Sequence, residues 1–147
     1  MKSLLLLTAL LLSAPPSLAE DILFLKCNEA REMTSTSTYD DGEQFTLKSN
    51  AKEIFVLRID AKNEKMLINK SEVDIDIKGN EAIYSDTFEN GNVKDVNVIH
   101  TKLSPPYSRY GKGKTIFKKP STNVIDVAIK ADCTKIDSAE FDEFLNQ

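Results

Sequence analysis

The sequence predicts a mainly β fold: a small antiparallel barrel or sandwich of seven to eight strands with a short C-terminal helix. Three observations predict it. Apolar residues alternate with polar ones in Glu72-Val73-Asp74-Ile75-Asp76-Ile77 and again through Val124 to Cys133, so one face of each segment meets a core and the other meets water. Turn residues at Lys78-Gly79-Asn80 and Asn90-Gly91 separate β-branched runs at short spacing. Helical spacing of apolar residues appears at the end of the chain, after Asp137.

In chain order, Ile22 to Cys27 is a short apolar run with Leu23, Leu25 and Cys27 on one face of an extended chain. Thr34-Ser35-Thr36-Ser37-Thr38 reads as a loop or an exposed edge strand. Glu53 to Asp60 and Lys65 to Asn69 form a hairpin across the polar stretch 61–64. Glu72 to Ile77 follows, sending three carboxylates to one face and Val73, Ile75 and Ile77 to the other. Ala82 to Phe88 is the return strand, and Asn90-Gly91 turns the chain into a strand bearing Val93, Val96, Val98 and Ile99. Pro105-Pro106 breaks the pattern before Thr115 to Lys118. In Val124 to Cys133 the residues Ile125, Val127, Ile129, Ala131 and Cys133 share a face. Asp137-Ser138-Ala139-Glu140 has the spacing of a capping box, and Phe141, Phe144 and Leu145 then fall on one helical stripe. That helix packs onto the sheet or covers an open end.

Compartment follows from the first residues. Met1-Lys2, the apolar run Leu4 to Leu12 and the small residues of Ser17-Leu18-Ala19 make the three-part pattern of a cleaved leader, with Glu20 as the new N-terminus. The apolar run is about half the roughly 20 residues a membrane span needs, and Pro15-Pro16 ends it. A lipid anchor would need Cys where Glu20 stands. The expected product is a single β domain over residues 20–147, exported to a periplasmic or extracellular space, with no transmembrane segment. It carries 18 Lys and Arg against 23 Asp and Glu, a balance that argues against nucleic acid as partner.

Cys27 and Cys133 are the only cysteines. In an oxidising compartment an even pair is expected to bond, and both lie on the apolar faces of their strands. The loop so closed is long enough for a chain-entropy stabilisation of about 4.7 kcal/mol, an upper figure. Zinc wants three or four His or Cys ligands, and one His with two distant Cys does not supply them, so no metal or other cofactor is expected.

In layout the chain resembles small exported bacterial β-proteins of the kind abundant in marine cyanobacteria. Ser17-Leu18-Ala19-Glu20, Leu25-Lys26-Cys27, the segment Phe55 to Asp60 leading into a Lys/Asn turn, and one late Cys carry the likeness. The resemblance implies a β fold and transfers no catalytic residue. The outline also resembles exported lysozyme-inhibitor barrels, through Ser108-Arg109-Tyr110 and Lys112-Gly113, although the chain has no Trp where that family's motif is Trp-rich.

Gly113-Lys114-Thr115 spells the end of a phosphate-binding loop. That loop also needs a glycine five residues earlier, where Ser108 stands, and a helix afterwards, where a strand is expected, so the nucleotide reading is excluded. What remains is charge. From His100 to Pro120 there are six cations, Lys102, Arg109, Lys112, Lys114, Lys118 and Lys119, and no acid. Tyr107 and Tyr110 add aromatic area, so Tyr107, Arg109, Tyr110, Lys112, Lys114, Lys118 and Lys119 make a candidate partner-contact loop. The alternative is a solvated turn whose lysines guard an edge strand.

Enzyme readings find little support. His100 is the only His, no Ser stands in a nucleophile-elbow context, and Glu72, Asp74 and Asp76, which share a face and could ligate calcium, read instead as a solvated face with Lys65 and Lys70 on the neighbouring strand. Three functions follow in order: a non-enzymatic binding or inhibitory module taking an acidic protein; an envelope-associated structural protein holding anionic polymer or lipid head groups; and a carboxylate-dependent hydrolase, which needs two carboxyls facing one concave pocket.

Overall fold

The computed structural model describes residues 22–119 and 121–147; the predicted leader, with its cleavage point between Ala19 and Glu20, lies outside them. Nine strands and one helix follow in order: β1 Ile22–Thr38, β2 Gln44–Asp60, β3 Lys65–Ile68, β4 Ser71–Asp74, β5 Asp76–Lys78, β6 Glu81–Asn90, β7 Val93–Lys102, β8 Ser108–Phe117, β9 Thr122–Lys135 and α1 Ser138–Leu145. All belong to one antiparallel sheet in the order β4-β3-β2-β1-β9-β8-β7-β6-β5.

The two ends of that order, β4 and β5, are neighbours in sequence. Only Ile75 separates them: β4 pairs with β3 on one side and β5 with β6 on the other. The segment therefore passes from one end of the sheet to the other and nearly closes a barrel. The Ile75 N–H donates to the Glu64 carbonyl at 3.0 Å, and its side chain is buried in the core. This accounts for the strand count of nine rather than seven to eight, because the single alternating strand read over Glu72–Ile77 is divided at the residue where it changes partners. The alternation itself holds: Glu72, Asp74 and Asp76 are exposed, whereas Val73 and Ile77 pack against the core beside Ile75. Lys65 pairs with Asp74 across the β3–β4 hairpin.

Inside the barrel sit Leu25, Cys27, Phe55, Leu57, Ile59, Met66, Ile75, Ala82 and Ala131. Cys27 and Cys133 are directly opposed in the β1–β9 ladder and bonded, with Cα atoms 4.1 Å apart. The bridge thus joins neighbouring strands, one from each end of the domain. A second apolar cluster lies on the outer surface, where α1 packs onto β1 and β2 instead of covering an open end. Phe141 is buried against Val56 and Ile136, with its ring 5.3 Å from that of Phe24. Burial of each such side chain is worth about 1.5–3 kcal/mol. The Asp137 carboxylate caps the helix by accepting from the Glu140 N–H at 2.8 Å.

Three segments differ from the sequence reading. Thr34–Thr38 is neither a loop nor an edge strand but the far end of β1, paired with β2 and β9 on its two sides. β2 begins at Gln44, nine residues before the predicted Glu53. Residues 108–117 form strand β8, held between β7 and β9, and are not a protruding loop. The barrel comes near to closure only at its base, because β3, β4 and β5 are short; above them the six long strands continue as an open sheet.

Candidate functional site

Because β8 is a strand, alternate residues of the basic segment go to opposite faces. Arg109 points inward and is 5 % exposed. Tyr110, Lys112 and Lys114 point outward. Tyr107 packs against the core edge, and its carbonyl accepts from the Cys133 N–H at 3.1 Å. Lys118 and Lys119 lie just past the strand, both exposed, with Lys118 3.9 Å from Glu89. The predicted contact set is therefore split: Tyr107 and Arg109 are structural, and the outward group remains available.

Arg109 belongs to a polar layer on top of the core that the sequence reading missed. Following hydrogen-bonded neighbours across the sheet at this height gives Glu53, Glu29, Ala131, Arg109, Thr101 and Ala82. Glu29 is 2 % exposed, and its carboxylate accepts from Arg31 at 2.7 and 3.2 Å. Arg109 is 3.7 Å from the other Glu29 oxygen and lies over the Phe55 ring at 5.0 Å. Its Nε and the buried Thr101 hydroxyl find no hydrogen-bond partner. Burial pushes the Arg109 pKa down while Glu29 pulls it up. Extending the parity of Cys27 by two and four residues places Glu29 and Arg31 inside, which is the signal that could have found them.

Outside, Tyr110 is held in place. Its ring stacks on His100 with centroids 5.0 Å apart, and its hydroxyl donates to Glu81 at 2.7 Å. His100 Nδ1 lies 3.1 Å from the other Glu81 oxygen. The Tyr110 hydrogen bond, followed by that of His100, holds the Glu81 carboxyl below the usual carboxylate range, and the Tyr110 hydroxyl is pushed up in turn.

Beyond Tyr110 the outward face of β7, β8 and β9 forms a trough of about 650 Å³. Its floor is apolar, made of Val96 and Val98 from β7, Ile116 from β8 and Ala128 from β9. Lys94, Lys112 and Lys114 stand along it. Glu32 and Asp126 line the β1–β9 side, with Asp126 3.6 Å from Lys114. The volume falls within the range of small-molecule and side-chain binding pockets, which are mostly apolar with a few polar groups. Among the described residues there is no cluster of three His, Cys, Asp or Glu able to hold a metal ion. No helix among them is long and apolar enough to cross a membrane.

Comparison with protein-family models, curated proteins and solved structures finds no match.

Proposed function

We propose that the protein is an exported, non-enzymatic binding module whose contact surface is the outward face of β7, β8 and β9. The trough carries the reading: an apolar floor that can take a side chain, with Lys112 and Lys114 beside it to meet carboxylates. Such a combination suits an acidic protein partner that inserts an apolar anchor, because buried apolar contact supplies affinity while surrounding charge steers encounter. Tyr110, pinned by His100 and Glu81, adds a rigid aromatic edge next to the lysines.

The test is capture from envelope extract on immobilised protein spanning residues 20–147, beside a Lys112→Glu/Lys114→Glu variant. The expected result is one acidic partner retained by the parent, released by added salt and lost from the variant, with unchanged circular dichroism. Salt dependence follows because charges are screened over roughly 10 Å at 0.1 M. Equal capture by both proteins would refute the reading. Retention of anionic lipid vesicles or polysaccharide instead would move the assignment to an envelope-associated structural role for the same lysines.

A further inference from the structure

Above the nearly closed base, the open sheet ends in two unpaired edges. β3 pairs only with Leu57–Asp60 of β2, and just beyond it Asn69 takes up the backbone of Val56: its N–H donates to the Val56 carbonyl at 2.9 Å and its Oδ1 accepts from the Val56 N–H at 3.2 Å. In an antiparallel strand the N–H and C=O of one residue point to the same side, and successive residues alternate. Since Val56 directs its groups away from β1, so do Ile54, Lys52, Asn50, Lys48, Thr46 and Gln44, none of which has a neighbouring strand on that side.

At the opposite end, β5 covers β6 only as far as Ile83. The two-residue turn Gly79-Asn80 makes Lys78 and Glu81 a hydrogen-bonded pair, so odd-numbered residues of β6 face away from β7, and Ser85, Thr87 and Glu89 are left without a neighbouring strand.

The two edges match in four respects. β2 and β6 run in opposite directions along the sheet, so two copies side by side with their tips aligned bring them together antiparallel. On both edges the free backbone groups belong to residues whose side chains lie on the outer face, so joining them keeps inner face with inner face. That inner face carries Phe45 and Leu47 on β2 and Phe88 on β6, each more than half exposed and uncovered within one chain. The outer face sets Lys48 of β2 diagonally across from Glu89 of β6, which is level with Thr46 and lies 3.6 Å from Lys94 and 3.9 Å from Lys118 of its own chain. Pairing β2 with a second β2 would instead oppose lysines to lysines, which disfavours it.

We infer that β2 of one molecule adds to β6 of a second copy of this chain, so that the protein associates head to tail through a continuous antiparallel sheet. Such a contact is heterologous and generates rings or filaments rather than a closed dimer. Lysine on a sheet edge also serves to prevent pairing, and the experiment separates the two roles.

Sedimentation velocity of the oxidised protein spanning residues 20–147, over a micromolar concentration series, is expected to show species heavier than the monomer that grow with concentration. Asn50→Pro deletes an N–H that the single chain does not use, at an edge position where proline is tolerated, and should return the protein to monomer with its fold intact. Lys48→Glu/Lys52→Glu and Glu89→Lys should each weaken association at least tenfold, and mixing those two variants should restore it. If Asn50→Pro fails to fold, the mixing experiment decides. A monomer at every concentration overturns the inference, as does association that survives Asn50→Pro or Glu89→Lys.

Discussion

Glu29 and Arg109 are buried partners, yet the structure predicts opposite consequences for removing each. Glu29 is the shared acceptor of the layer: Arg31 donates to it twice at hydrogen-bond distance, and Arg109 stands 3.7 Å away. Replacing it by Gln leaves the Arg109 guanidinium buried with no adjacent carboxylate, and breaking a buried pair in this way costs about 3–5 kcal/mol. Removing Arg109 is different, because Glu29 keeps both hydrogen bonds from Arg31 and the guanidinium takes with it an unsatisfied Nε. Replacing a poorly satisfied buried ion by a flexible apolar side chain is often neutral or stabilising, so Arg109→Met, packed against Phe55, should fall within about 1 kcal/mol of the parent. Urea unfolding followed by circular dichroism reads both values from the midpoint at unchanged slope. In a domain of this size the Glu29→Gln cost corresponds to a melting-temperature drop on the order of 10–20 °C. Equal losses for the two variants would refute the reasoning, and a stable Arg109→Met that no longer binds the partner would return Arg109 to the contact surface.

Two further outcomes are expected. The Cys27–Cys133 bridge predicts near-zero free thiol in the unfolded, unreduced protein, and a Cys27→Ala/Cys133→Ala variant losing up to about 4.7 kcal/mol in urea unfolding; two titratable thiols per parent chain would contradict it. Glu81 has a folded pKa lowered by Tyr110 and His100, so its contribution is present above the unfolded value and is lost as pH falls through the lower folded value. Tyr110→Phe should raise the Glu81 carboxyl midpoint in an NMR titration and flatten the fall in stability below about pH 4.5; an unmoved midpoint would rule out the hydrogen bond as cause.

Parity was the legible part of the fold. The alternation in Glu72–Ile77 and in Val124–Cys133 assigned inner and outer faces correctly, and it brought both cysteines to the core side, because those strands bury one face and expose the other. Gln44–Lys52 was not legible for the complementary reason: every residue there is exposed, so no face had to be apolar, and the strand is held by its ladder with β1. β8 was hidden by glycines. Gly111 and Gly113 signal a turn in most contexts, but here they admit the adjoining backbone: a Cβ at Gly111 would stand 2.5 Å from the Val98 carbonyl oxygen, and one at Gly113 would run into the Asn97 amide. The basic segment was thus visible in composition, whereas its division between a buried arginine and an outward pair of lysines depends on a strand that the local pattern conceals.

The place of β1 between β2 and β9 also sets an order of events. A chain made N-terminus first delivers β1 at the start, and β2 can fold onto it at once. Its other flank stays open until β9 arrives as the final strand. Cys27 must wait for nearly the whole polypeptide before Cys133 reaches it. Contacts this distant in sequence form slowly. During that interval the threonine- and serine-rich end of β1 is a bare edge, and its lack of apolar side chains at Thr34–Thr38 makes it a poor template for other strands until the last one is made.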